Sequence, residues 1–513
     1  MLSLRSAFIA LFGAFNFSAL ATEKPNVLFI VVDDLKPYLA CYGDPVAITP
    51  NFDRLAKQGT LFTKAYSNQA VCGPSRCSTF TSLRPDRTRV HDLKTDFLAE
   101  SPWVVSLPEH LRNHGYSTAG SGKLFHGGKS DKIMNQRAWH ALVDEAQLPF
   151  NPNYPKPAKH YQNPKSQAAY QAALANGKKG FFALTKALKD ANANPSTECL
   201  NIPDDAYIDG AITKQSIQFI HQLSNSSKPF FIAVGFKKPH LAFTAPKKYW
   251  DLYDPNSLKL ATYQKAPKGA PKYAAHTWGE LKAYSDIQAD TPVPPNKQRE
   301  LIHGYYACVS YIDAQIGKLL DTLEAKNLTQ NTLIVLWSDH GWHLGDHGLW
   351  CKHSNYEQAT RSVLMFSGPG VKTNQQIHNP VELIDIFPTV CELTQTPQLP
   401  NLDGISLSPS LNDPNHQSRR FAISQYPRHI TMGYALRDNN YRYVAWLKNP
   451  NPKTPLTQLE NIRDEELYKL SSDPLETTNL ALHAEQQARI TSFRDALNTH
   501  LKQQASRPQT LKP

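Results

Sequence analysis

The sequence is short of several things that would fix its class at once. It has seven cysteines, at positions 41, 72, 77, 199, 308, 351 and 391. That is too few for a disulfide scaffold, and their odd number leaves at least one outside any pairing scheme. Beyond the N-terminus, no stretch reaches the roughly 20 apolar residues that a membrane span needs. Zinc-finger spacings, RNP-type aromatic motifs and long Lys/Arg blocks are missing, and the basic residues are spread along the chain, which argues against nucleic acid as a partner. There is no internal repeat. What remains is a large basic chain, with 55 Lys+Arg against 44 Asp+Glu and a formal charge of +11 over 513 residues. Such a charge attracts an anionic partner without naming it, so the chain reads either as an ordinary soluble basic protein or as an enzyme for acidic substrates.

The first 21 residues read as a signal peptide: Arg5 supplies the positive start, "AFIALFGAFNFSAL" the apolar stretch, and Ala19-Leu20-Ala21 a small-x-small cleavage site. Export follows, to a periplasm, an extracellular space or a lumen, with a bacterial periplasmic or secreted protein favoured over a lysosomal one.

Three continuous apolar runs, "NVLFIVV" (26–32), "PFFIAVGF" (229–236) and "NTLIVLWS" (331–338), have the texture of strands buried on both faces. Helical signals lie between them. Thr49 and Pro50 open "NFDRLAKQG", which Gly59 closes, and an amphipathic stretch from Tyr305 precedes the third run. The expected fold is α/β, a large mostly parallel sheet flanked by helices. Residues 150–200 and 250–300, rich in Pro, Lys, Ala, Asn and Tyr without a period, read as surface excursions that rim a site. The catalytic domain is expected over 22–414. From 415 to 513 a smaller C-terminal α+β domain is expected, with an antiparallel hairpin around Asp438-Asn439-Asn440.

The chemistry gathers at strand ends. The first run ends in Asp33-Asp34 and the third in Asp339-His340; ligands collect at the carboxyl ends of strands in open α/β sheets. One acidic pair alone reads as a solvated turn, but two pairs meeting at one point call for a hard divalent cation. The stretch "VCGPSRCSTFTSLRP" (71–85) sets Cys72 just before a helix that Pro74 favours, where the dipole and Arg76 favour negative charge. Its plain reading is a low-pKa thiolate, with Cys77 as a resolving or structural thiol. Lys123 and His126, Lys238 and His240, and His343, His347 and Lys352 follow other strand-like segments. Each alone reads as structural or solvated, and protonated lysines suit an oxyanion better than a second metal.

Together these segments resemble the formylglycine-dependent (type I) sulfatases of the alkaline-phosphatase-like superfamily, and most closely their iduronate-2-sulfatase-like branch. "CGPSR" matches the C-x-P-x-R signature whose cysteine is oxidised to Cα-formylglycine, and the likeness runs on through "NVLFIVVDDLKPYLACYGD", "GKLFH", "PFFIAVGFKKPHLAF", "SDHGWHLGDHGLWCKHSN" and "ELYKLSSDPLETTNLA". The resemblance implies a sulfuric ester hydrolase for a sulfated, acidic polysaccharide or its oligosaccharides, matured by a formylglycine-generating enzyme. It implies calcium held by Asp33, Asp34, formylglycine 72, Asp339 and His340, although many sulfatases carry Asn at the last position. One hydroxyl of the hydrated aldehyde attacks sulfur, and loss of a proton from the other releases sulfate. Arg76 and Lys123 would hold the formylglycine and metal-side oxygens, His126 would be the base, and His240 and Lys352 would serve the bridging oxygen. His343, His347 and Lys238 are given no catalytic role. Among Arg428, His429, Arg437 and Arg442, the first two are the candidate substrate contacts, the arginines otherwise being solvated strand residues. The alternatives are a formylglycine-dependent phosphomonoester or phosphonate hydrolase, and an inactive calcium-stabilised glycan-binding protein.

Overall fold

The computed structural model describes residues 24–126, 129–275, 279–288, 292–451 and 453–508; the signal peptide expected over residues 1–21 lies outside them. In chain order, the strands of the main sheet are β1 (Asn26–Val32), β2 (Gly59–Phe62), β3 (Ser117–Gly122), β4 (Ala141–Val143), β5 (Phe230–Phe236), β6 (Thr332–Ser338), β7 (Leu364–Ser367) and β8 (Gln375–Ile377). They line up as β8-β2-β7-β6-β1-β5-β3-β4. Only β7 runs against its neighbours, β6 and β2; the other pairings are parallel.

The three apolar runs are the central strands β1, β5 and β6, and every residue in them is buried. Side chains alternate across a strand, so Val27, Phe29 and Val31 of β1 enter one core and Leu28, Ile30 and Val32 the other. Two long helices, α3 (Ile208–Leu223) and α4 (Pro295–Ala325), cover the second face through Ile212, Phe219, Leu301, Ile312 and Ile316. The first face carries α2 (Cys72–Thr81), whose Phe80 ring lies 5.6 Å from Phe29 and 4.8 Å from Phe125. A buried aromatic of this kind is worth about 3–5 kcal/mol against Ala, so α2 is anchored firmly on the strands that end at the site.

Register aligns the strand ends. Val32 pairs with Phe236 on one side and with Ser338 on the other, so Asp33, Lys237 and Asp339 leave the sheet at one edge. Beside them Gly235 lets the backbone of Lys123 approach: a Cβ there would fall 2.1 Å from the Lys123 carbonyl oxygen. That contact delivers Lys123 to the same edge.

A second sheet, β9 (Ala422–Arg428), β10 (Thr431–Arg437), β11 (Tyr441–Lys448) and β12 (Ile462–Lys469), is antiparallel in chain order. Residues 438–440 turn between β10 and β11, as their composition suggests. The helix α5 (Gln487–Ser506) packs Ile490, Phe493 and Leu497 against Met432, Tyr434 and Tyr443. Among the described residues no helix is long and apolar enough to cross a membrane.

Some local expectations are corrected. The helix α1 (Pro50–Lys57) starts at Pro50 as read, but it ends before Gly59, which opens β2 instead. The segment 150–200 is less irregular than its composition suggests, with helices over Pro164–Ala175 and Phe181–Asp190. Arg437 and Arg442 are not solvated: both are buried against Glu357, and Arg442 also pairs with Glu476 at 2.5 Å. No disulfide joins any of the seven cysteines.

Candidate active site

Two carboxylates come from β1 and one from β6. Asp33 and Asp34 follow β1 directly, with Asp34 at φ 59°, and Asp339 and His340 follow β6. The Asp34 amide donates to Asp339 Oδ1 at 3.1 Å, tying the two strand ends together. Arg76, on the second turn of α2, is wholly buried and bridges the pair: Nη2 lies 3.0 Å from Asp33 Oδ1 and Nε 2.9 Å from Asp339 Oδ2. Its Nη1 donates to the carbonyls of Lys123 and Leu124. Lys123 Nζ reaches Asp33 Oδ2 at 2.5 Å, and Ser75 Oγ donates to the Asp339 carbonyl.

Charge is distributed unevenly over these acids. Burial works to raise the pKa of Asp33, but Lys123 and Arg76 outweigh it and hold that carboxyl well below its usual range. Asp34 is the reverse case. Burial pushes it well above its usual range; Lys352, with Nζ 3.0 Å from Oδ2, pulls the other way, while Asp33, Glu280 and Asp339 push it further up. Three buried carboxylates with one left under-compensated are what a divalent cation neutralises.

His340 makes the same point with geometry. Its Nδ1 lies 2.9 Å from the Gly341 carbonyl, which can only accept, so Nδ1 carries the proton. Burial lowers the pKa of the ring and keeps it neutral, leaving a lone pair on Nε2. That atom lies 3.5 Å from Asp34 Oδ1, 3.7 Å from Asp339 Oδ2 and 3.3 Å from Cys72 Sγ. The imidazole lone pair facing two carboxylates fits a shared cation, with His340 as a nitrogen ligand beside oxygen donors. Ligand atoms of Asp33, Asp34, Cys72 and His240, and again of Cys72, Asp339 and His340, lie within 4.8 Å of one another, so Cys72 stands where both groups meet.

Cys72 is the first residue of α2, with Val71 as its N-cap. The expected low-pKa thiolate is not found. Burial, followed by Asp33, pushes the thiol well above its usual value, because the nearby cations are already engaged by carboxylates. Cys77 does not face it; its side chain belongs to the core packed on the first face of the sheet.

Two imidazoles flank this centre. His126 is half-buried, its Nδ1 has no hydrogen-bond partner among the described residues, and its Cβ is 3.8 Å from the place a Cβ on Gly73 would take, beside the first turn of α2. Burial and then Lys123 push its pKa down to about 3, so it is a neutral base. His240 is a quarter exposed, with Nδ1 2.6 Å from the Leu241 carbonyl and Nε2 3.9 Å from Asp34 and 3.5 Å from Glu280. Lys238 is buried and donates to the His240 carbonyl at 2.6 Å and to that of Ala242, which shapes the loop rather than the pocket.

The His and Asp side chains over residues 343–347 turn to other partners rather than to one another. Asp346 pairs with Lys36 at 2.9 Å, His343 Nε2 lies 2.8 Å from Ser354 Oγ, and His347 Nε2 lies 2.8 Å from the Leu475 carbonyl. Of the two substrate-contact candidates, His429 stands exposed at the turn after β9. Arg428 is buried: Nε donates to the Tyr273 carbonyl at 3.0 Å, Nη2 donates to the His353 carbonyl, and the guanidinium lies 4.3 Å from the Tyr426 ring centre.

Glu280 and His353 were not singled out in the sequence. Glu280 Oε1 lies 2.8 Å from Lys352 Nζ, and Oε2 3.7 Å from His353 Nε2. A lone Glu in "TWGELKAY" carries no periodic or spacing signal. His353 lies inside a quoted motif but beside the more conspicuous Lys352.

Sequence comparison matches the sulfatase family over residues 25–396 and the C-terminal region of N-sulphoglucosamine sulphohydrolase over 345–505. Human iduronate 2-sulfatase is 32% identical over 528 aligned positions, covering 90% of this chain and 91% of that protein. Among solved structures, a protein in complex with its substrate D-glucosamine-2-N,6-O-disulfate superposes with a TM-score of 0.69 at 18% identity over 94% of this chain and 98% of that one. The phosphonate monoester hydrolase of Agrobacterium radiobacter superposes at 0.70 with 20% identity, over 94% and 96%. At these identities the superpositions speak to the fold.

Proposed function

The chain belongs to the sulfatase family, whose members hydrolyse sulfuric esters, and from that premise we propose that it desulfates an acidic, sulfated polysaccharide or its oligosaccharides, with a formylglycine formed from Cys72 and a calcium ion. The observation that carries this is the setting of Cys72: buried, at the start of α2, shared by both groups of candidate ligands, with Arg76 four residues on bridging two of the three carboxylates. The side chains around Cys72 push its thiol well above its usual value, so by themselves they do not prepare a thiolate. An oxygen-bearing residue at the same place would join an oxygen-rich cation site.

Asp33, Asp34, Asp339 and His340 would hold the cation, and Arg76 and Lys123 would keep Asp33 ionised and in place. When present, the cation polarises a sulfate oxygen and the modified residue supplies an oxygen nucleophile for sulfur. The remaining work falls to the chain's own side chains. Lys123, paired with Asp33, and Lys352, paired with Asp34, would balance the charge of the sulfate group. His126, neutral with a proton-free site, would take a proton when sulfate is released. His240 and Lys352, together on the more open side, would serve the bridging oxygen as the alcohol departs. Export after removal of residues 1–21, maturation by a formylglycine-generating enzyme, and a C-terminal domain beginning near residue 415 that rims the pocket through His429 belong to the same reading. The net charge of +11 suits a polyanionic substrate. So do the acidic sugars named for human iduronate 2-sulfatase and for the solved substrate complex.

The likeness in fold to a phosphonate monoester hydrolase, as strong as that to the sugar-sulfate complex, keeps one rival in view. Two measurements decide. Mass spectrometry of the tryptic peptide 65–76, from a host that converts a control sulfatase, is expected to find an aldehyde at position 72. A retained thiol with the control converted removes this mechanism. Paired sulfate, phosphate and phosphonate esters are expected to show sulfate preferred, and a dominant phosphatase or phosphonatase activity assigns the chain to the rival chemistry.

A further inference from the structure

Lys352 is a long, flexible side chain whose ammonium is placed only by its partners. Among the described residues it makes two ion pairs, with Asp34 Oδ2 at 3.0 Å and Glu280 Oε1 at 2.8 Å, and it lies 4.9 Å from the centre of the Trp342 ring. A cation drawing on Asp34 weakens the first hold, and Glu280 then becomes the main anchor of the ammonium. The same oxygen lies 3.5 Å from His240 Nε2, so one carboxylate addresses both groups on the open side of the pocket.

Behind these contacts, Glu280 Oε2 is closed off from solvent and faces His353 Nε2 at 3.7 Å, beyond hydrogen-bond length. His353 Nδ1 lies 2.8 Å from the Tyr426 hydroxyl, and the His353 carbonyl accepts from Arg428. Tyr426 and Arg428 belong to β9. A chain of contacts therefore runs from the second sheet, through His353 and Glu280, to Lys352 and His240. The acids, Arg76 and Lys123 are instead carried directly by β1, β6, β3 and α2.

We propose that Glu280 is a positioning residue for departure of the alcohol: it holds Lys352 and His240 where the bridging oxygen leaves, and the His353–Tyr426 contact sets its own place from the second sheet. The inference rests on the roles given above to Lys352 and His240. The chemistry yields a specific signature. A sugar alcohol is a poor leaving group and needs help from that side, whereas 4-nitrophenolate departs without it.

The test is Glu280→Gln in the full-length, matured protein, which keeps shape and removes charge, assayed on a sulfated sugar and on 4-nitrophenyl sulfate. The expected result is a fall in kcat on the sugar sulfate of about 100-fold, the scale of general acid assistance. The aryl ester should lose less than about threefold and bound calcium should be unchanged, while the melting temperature falls modestly because buried Lys352 loses one of its two carboxylates. Tyr426→Phe should show the same leaving-group dependence more weakly, at about fivefold, and supplies the answer should the Gln variant fail to fold. Equal losses on both esters, no loss on either, or a larger loss on the aryl ester overturns the inference while leaving the sulfatase reading standing. A wild-type protein inactive on both esters, by contrast, overturns that reading and this inference with it.

Discussion

The two sides of the site are built differently. On the side of the candidate metal ligands, Asp33, Asp34, Asp339, Arg76 and His340 are almost wholly buried, follow core strands or lie on α2, and are cross-tied by ion pairs of 2.9–3.0 Å. On the open side, His240 is a quarter exposed and Glu280 about one-sixth, both come from long connections, and their support reaches back to a separate sheet. On the proposed reading the sulfate, common to every substrate, would meet the rigid side with the cation, and the alcohol, which differs between substrates, would meet the side that loops can vary.

Removing the nucleophile's position should give the largest effect. Cys72→Ala is expected to abolish sulfate release, by at least about 10⁴-fold, with the melting temperature little changed; residual activity near wild type would mean that position 72 takes no part. Arg76→Leu comes next and attacks rigidity itself. It leaves Asp33 and Asp339 buried without their shared partner, and loss of one member of a buried ion pair costs about 3–5 kcal/mol. Urea unfolding should show that loss; Arg428→Leu, on the other side, should lose less, and the reverse order would undo the contrast drawn above.

A subtler difference appears with pH. Burial lowers the pKa of His353 to about 4, against the opposing pull of Glu280, and that of His126 to about 3, with Lys123 adding to the fall. Both folded values lie below the ordinary imidazole value of 6.5. The folded protein therefore binds fewer protons than the unfolded chain below that pH. This contribution is fully present above 6.5 and is lost as pH falls toward 4 and 3. Melting temperature followed from pH 8 to pH 4 should be nearly level above 7 and decline below 6.5, and His353→Gln should make the decline shallower; an unchanged slope would show that His353 does not titrate in this way. The smallest effect is expected at the rim. His429→Ala should raise KM for an oligosaccharide about threefold and leave a small aryl sulfate unaffected. Equal effects on both would move His429 out of the substrate rim.

Much of the fold was legible because buried parallel strands leave an unmistakable trace. The runs at 26–32, 229–236 and 331–338 could hardly be anything but the centre of a sheet, and the acids ending two of them pointed to the site. The thiol at position 72 shows where local rules stop. A helix N-terminus and a nearby arginine argue for a thiolate, but Arg76 is committed to Asp33 and Asp339, and burial decides the matter the other way. Arg437 and Arg442 misled for a related reason: an arginine on a strand reads as solvated until its buried partners, Glu357 and Glu476, arrive from distant segments.

The sequence by itself determined the central strands, the acids at their ends and the Cys-x-Pro-x-Arg segment, because periodicity and short spacings are local properties that the chain carries with it. Only the tertiary structure decided which cation answers which carboxylate, that burial and Asp33 push the Cys72 thiol up where the two ligand groups meet, and that Glu280 stands between Lys352 and His353. Charges act through space and desolvation depends on everything packed around them, so these outcomes follow from residues hundreds of positions apart.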